Sequence, residues 1–185
     1  MKNLRRNFNR FCFRNRDKGI PNLMLYISLG TVAVYLLCSV DPSGMVPYWL
    51  YFDRSLILQG QVWRLFSYVF LDFSSNILWT ALMLLCYYSL GRAIENLWGT
   101  LRFNLFYFTG ILLMDVYCLI FGGMASPYYL NLSLFLAYAT LYPDAQFTLF
   151  FIIPVKARYL ALFDLFIIIL GVFDFFPHNL FPLIA

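Results

Sequence analysis

The stretch SLGRAIENLWGTLRF, residues 89–103, gathers three charged residues, Arg92, Glu95 and Arg102, between two long apolar runs. Upstream, NILWTALMLLCYY (76–88) carries no charge, and downstream FNLFYFTGILLM (103–114) carries none either. With their flanks, both runs reach the roughly 20 residues needed to cross a hydrocarbon core. The stretch therefore reads as a short charged turn at one face of a membrane, with a span on each side. Working outward, spans are predicted at about 21–40, 75–93, 103–122, 128–142 and 155–173. The chain then turns at FDFFPHN, and LFPLIA (180–185) reads as the first turns of a last span, starting at about 179 and incomplete. Pro21 suits the first turn of the first helix, and DPSG (41–44) breaks it.

Composition agrees with this reading. The 185 residues are 62% hydrophobic, 21% aromatic and 12% charged. Soluble domains carry about a quarter charged residues, so there is too little polar surface here to cover a soluble globule. The expected class is an all-α, multi-pass membrane protein with five full spans and the start of a sixth.

The net charge of +4 does not point to nucleic acid, because the cations are placed asymmetrically. Lys2, Arg5, Arg6, Arg10, Arg14, Arg16 and Lys18 all precede the first apolar run. Residues 1–19 form a basic segment expected in the cytoplasm, in part an amphipathic helix on the membrane surface, and residues 20–185 the transmembrane domain. With the N-terminus inside, Arg92, Arg102, Lys156 and Arg158 join them, and only Arg54 and Arg64 lie outside. That distribution follows the positive-inside rule. No small-residue cleavage site follows the first run, which is read as retained. A bacterial cell membrane is the expected location, with endoplasmic reticulum as the alternative.

Residues 45–73, MVPYWLYFDRSLILQGQVWRLFSYVFLDF, are too aromatic for a solvated loop and too broken for a simple span. Trp49, Tyr51, Trp63 and Tyr68 favour the interface, so one or two short interfacial helices are predicted. The four cysteines, Cys12, Cys38, Cys86 and Cys118, have no metal-ligand spacing and read as small core hydrophobes. The sequence calls for no metal and no cofactor.

Together, GQVWRLFSYVF (60–70), SLGRAIENLWGTLRF and the serine-bearing YLNLSLFLAYATLYPD (129–144) resemble the rhomboid superfamily in order and spacing. The landmarks are the Trp63–Arg64 pair and the pattern Leu90-Gly91, Glu95, Gly99; the likeness covers about residues 45–185. Physically, Arg64 is suited to anchoring the first loop by satisfying its carbonyls. Glu95 needs a partner at a helix end, with Arg92 and Arg102 as candidates. Gly91 and Gly99 would let backbones approach closely. All five residues read as architecture rather than chemistry.

The resemblance places Ser133 on the family's catalytic serine, near the outer end of the fourth span. The surroundings depart from the family pattern. Its two flanking glycines are Asn131 and Leu134 here, and its second-span histidine and asparagine correspond to Trp79 and Met83. A nucleophilic serine needs an adjacent base, and the one histidine, His178, lies in the turn before the last span. By the family's spacing the catalytic histidine falls near or past Ala185, which suggests a truncated last helix. Ser133 is thus expected to be a buried helix hydroxyl bonding a carbonyl one turn back.

The resemblance then implies a catalytically inactive relative, of the kind of pseudoproteases and derlins, that binds transmembrane helices or small membrane proteins or thins the bilayer. Two other functions are carried. One is an intramembrane serine endopeptidase with Ser133 as nucleophile. The other is a small-solute transporter using Asp115 and Asp164, acids inside predicted spans, with each other or Tyr117, Ser133 and Thr140 as partners.

Overall fold

A computed structural model describes residues 18–149 and 153–166, together with Arg6, Arg10, Cys12 and Arg14 near the N-terminus. Those four N-terminal positions are helical, with Cys12 buried and the three arginines exposed. The chain divides into two compact units, Met1–Leu134 and Phe135–Ala185.

The first long helix, α1, is Leu23–Val40. Pro21 lies just before it rather than in its first turn. Instead Asn22 caps the helix in the left-handed region, at φ 55°. That conformation is held from outside: the Asn22 N–H donates to Glu95 Oε1 at 3.0 Å, and Arg92 donates to the Asn22 side chain. Along α1, Leu25, Tyr26, Leu29, Val32, Leu36, Leu37 and Val40 are all exposed. An apolar surface of that extent suits lipid rather than water.

Three short helices follow: α2 (Met45–Leu50), α3 (Arg54–Leu58) and α4 (Arg64–Ser67), with a 3-10 turn at Tyr68–Phe70. This is one helix more than the aromatic pattern predicts. Asp53 starts α3 by accepting from the N–H groups of Ser55 and Leu56 at 2.8 and 3.1 Å, the usual service of an acidic cap. The turn at Tyr68–Phe70 packs on α1, where a Cβ added to Gly30 would sit 2.5 Å from the Phe70 ring.

Helix α5 is Ile77–Trp98 and α6 is Thr100–Phe121. Here the sequence reading is corrected. RAIEN is not a turn but the last stretch of α5, and the whole reversal falls on Gly99, at φ 87° and ψ 153°. The charged residues remain helical because Glu95 and Arg92 find partners at the start of α1. α1 packs against α5, and α5 against α6. α1, α5 and α6 are long and apolar enough to cross a membrane.

Helix α7, Pro127–Leu141, has 15 residues and so is about 22 Å long at 1.5 Å per residue, short of a roughly 30 Å core. Pro127 takes its first position, and the Ser126 hydroxyl accepts from the Tyr128 N–H at 3.3 Å. Two antiparallel strands follow, β1 (Gln146–Leu149) and β2 (Ile153–Lys156), pairing Gln146 with Lys156 and Leu149 with Ile153. The sequence reading starts a fifth span at Val155. The strand takes that position, and residues 157–166 are helical. The remainder of that predicted span, His178 and the predicted last span lie outside the described residues.

Candidate functional site

Ser133 sits on the second turn of α7 and is half-buried. Its hydroxyl donates to the Leu130 carbonyl at 2.7 Å, three residues back in the same helix. That bond directs the proton of the hydroxyl into its own backbone, whereas a nucleophile directs it to a base. Leu134 beside it is fully buried and Asn131 is 5% exposed, so both side chains that replace glycines of the family pattern occupy interior space. The Asn131 amide donates to the Asp72 carboxylate, tying α7 to the connection before α5. Trp79, the sole polar hydrogen at the two positions that correspond to the family's second-span donors, is 55% exposed.

Ser133 also borders a cavity of about 640 Å³, lined otherwise by Trp98, Arg102, Leu105, Phe106, Thr109, Gly110 and Leu113. All but Trp98 of these belong to α6. α6 and α7 approach at Gly110, where an added Cβ would stand 3.1 Å from a Leu130 methyl. The cavity wall is largely apolar, with the Ser133 and Thr109 hydroxyls and the Arg102 side chain as its polar groups.

Arg64 is 1% exposed. Its guanidinium donates to the carbonyls of Tyr48 and Tyr51, both at 2.8 Å, and to Gln61 Oε1 at 2.7 Å. It also lies against the Tyr48 and Tyr51 rings, at 5.6 and 5.3 Å from their centroids. The charge is thus spent on the C-terminal end of α2, as expected of an anchor. Trp63 stacks on Trp49 at 6.3 Å and donates its indole N–H to the Trp49 carbonyl. These contacts join α2 to α4 and leave the Arg64 side chain no free face for a ligand.

The α5 landmarks do different work. Gly91 is a site of close packing, since an added Cβ would fall 2.2 Å from Met24 Cγ on α1. Gly99 is not: an added Cβ would meet nothing within 4 Å, and its positive φ is what requires glycine. Glu95 accepts from Asn22 rather than from Arg92, which turns to the Asn22 and Tyr88 side chains.

Asp115 is buried on α6 at 4% exposure. Tyr117 is exposed, Ser133 bonds Leu130 and Thr140 bonds Ala137, so none of them takes the role of partner. The polar group near Asp115 is instead Tyr68, from the 3-10 turn. Burial pushes the Tyr68 phenol up, and the neighbouring Asp115 adds to the effect. Asp72 is pushed up by burial as well, opposed by the Asn131 bond. Asp164 lies half-buried in the helical stretch 157–166.

The sequence reading missed Asp72, Asn131, Tyr68 and Tyr107 as a group with Asp115. One signal was available: Tyr107, Ile111, Asp115 and Cys118 recur at the spacing of one helical face, and all are buried. Among the described residues, no group of three His, Cys, Asp or Glu side chains could hold a metal ion. No protein-family model and no curated protein matches the chain.

Proposed function

We propose that the chain is a rhomboid-like membrane protein with five spans and the start of a sixth, its N-terminus in the cytoplasm, which holds transmembrane helices without cutting them. The observation that carries this reading is the Ser133 hydroxyl, committed to the Leu130 carbonyl at 2.7 Å beside the buried Leu134. A serine so placed gives its proton to its own backbone rather than to the base that acyl transfer requires. The cavity along α6 has a largely apolar wall, with two hydroxyls and the Arg102 side chain as its polar groups, which suits a helix from a membrane protein better than a polar solute. The 15 residues of α7 also favour local thinning of the bilayer, which lowers the cost of holding a helix that is short or polar.

The test is photo-crosslinking in native membranes from Leu113, which lines the cavity. Adducts with intact membrane-spanning proteins are expected, and a probe at Leu29 on the exposed face of α1 should give fewer. Fragments that disappear in Ser133→Ala would instead identify a protease. Equal adducts from both positions would remove the case for a binding cavity.

A further inference from the structure

A second cavity, of about 580 Å³, opens where the end of α6 meets α3. Tyr51, Asp53, Arg54 and Leu58 line one side of it, and Gly122, Gly123 and Met124 the other.

Its level follows from the length of α6. The 22 residues of that helix rise about 33 Å, slightly more than a hydrocarbon core of about 30 Å. A helix of that length that crosses the core brings its end at Gly122 out among the headgroups. Tyr117, Tyr128 and Tyr129 are exposed on either side of that end, and tyrosine favours the interface. Arg54 stands at the same level, since a Cβ added to Gly122 would lie 4.0 Å from its Nη1. Gly122 and Gly123 take φ of 76° and 120°, a conformation that suits glycine, so this wall of the cavity is bare backbone.

The two charges of the cavity select its ligand. Asp53 is half-buried and Arg54 exposed, and among the described residues they do not pair with each other. Asp53 Oδ1 is taken up by the Ser55 and Leu56 N–H groups and the Ser55 hydroxyl. Asp53 Oδ2 accepts only from the Tyr51 hydroxyl, at 3.2 Å, and has a lone pair left for a stronger donor. The Arg54 fork matches a phosphate. A simple anion would meet the Asp53 charge, and a simple cation would meet that of Arg54. A zwitterion satisfies both. A quaternary ammonium is recognised by aromatic faces, but the Tyr51 ring already has the Arg64 guanidinium 5.3 Å from its centroid. A primary ammonium instead donates hydrogen bonds, which Asp53 Oδ2 can accept. Leu58 and Met124, both largely exposed, flank the charges with apolar surface for the glycerol and the first acyl carbons.

We infer that this cavity binds the headgroup of a phospholipid that ends in a primary ammonium, with its phosphate on Arg54 and its ammonium on Asp53. The site rests on α6 crossing the bilayer, as in the proposed function, and not on what the cavity beside Ser133 holds.

Native mass spectrometry of the full chain tests it, on protein released from nanodiscs of phosphatidylethanolamine, phosphatidylcholine and phosphatidylglycerol in equal parts with identical acyl chains. Phosphatidylethanolamine should be retained in preference to the other two. Arg54→Gln should weaken that retention roughly tenfold, the effect of losing a hydrogen bond to a charged group. Asp53→Asn, which keeps a good helix cap, should remove the preference over phosphatidylcholine. Arg14→Gln, at an exposed cation outside the cavity, should change nothing. Equal retention of the three lipids would leave Arg54 as no more than a cation at the negative end of α6 and overturn the inference. So would a preference for phosphatidylglycerol, the mark of a purely cationic site, or a preference indifferent to both Arg54→Gln and Asp53→Asn. A folded chain that does not enter nanodiscs would overturn the membrane reading and the site with it, whereas insertion without lipid preference removes the site alone.

Discussion

Arg64 carries a full charge at 1% exposure and spends it on two carbonyls and an amide. The guanidinium matters for its forked shape, because three acceptors in different directions cannot be met by one ammonium. Arg64→Lys should therefore cost about 2 kcal/mol by leaving buried acceptors unpaired, read as a lower unfolding midpoint in detergent. An unchanged midpoint would mean that water replaces the lost bonds. This role was legible in the sequence, since an arginine among aromatic residues at a membrane face has few other ways to be satisfied. The bond of Ser133 to its own helix was legible for a similar reason: a hydroxyl in an apolar helix has a carbonyl within reach one turn back. Tyr68 was not legible as the neighbour of Asp115. Those residues are brought together by packing of the turn after α4 on α6, which no local pattern encodes.

Elements depend on how tightly they meet. At the crossing of α1 and α5, Gly91 leaves no room for a methyl group beside Met24, which is 3% exposed. Gly91→Ala should cost roughly 1–3 kcal/mol by overpacking, and Met24→Ala should recover part of it in the double variant. Additive losses in that cycle would show that the two residues do not touch. The starts of α2 and α3 depend on acid groups instead. Asp41 is held below the usual carboxylate range, first by the Ser43 hydroxyl and then by the Val46 N–H. Asp53 is held down likewise by the Ser55 hydroxyl and the Leu56 N–H. Both bind protons more weakly folded than unfolded. Their contribution is complete above the ordinary carboxylate pKa of about 4 and is lost as pH falls through their lower folded values. Acid should thus loosen the stacked Trp49–Trp63 pair, seen as a change in tryptophan fluorescence, and Asp53→Asn should flatten that response. An acid response unchanged in Asp53→Asn would place the titrating group elsewhere. The long helices were legible from apolar length, within a few residues. The end of α5 was not, because charged residues usually mark a turn, and here Asn22 from outside the helix keeps Glu95 and Arg92 within it.

At the scale of the molecule, α1, α5 and α6 are long and apolar enough to cross a membrane, with apolar side chains exposed along each. The resemblance to rhomboids proposed from the sequence rests on Trp63, Arg64, Gly91, Glu95 and Gly99, and each of these residues serves the architecture. Trp63 and Arg64 hold the interfacial helices, Gly91 and Glu95 hold α1 to α5, and Gly99 makes the reversal. A scaffold can keep such residues whether or not its serine works, so they bear on the fold and not on catalysis. The two strands at 146–156 had no counterpart in the sequence reading, because Val155 opens an apolar run that hides the pairing of its backbone. The Ser133 hydroxyl is bonded into its own helix. The most direct test of that structural role is labelling of the folded, detergent-solubilised protein by a fluorophosphonate probe, beside Ser133→Ala. A structural hydroxyl gives equal, background labelling of both proteins. Labelling that is strong in the wild type and lost in Ser133→Ala would contradict it, because only an activated serine reacts in that way.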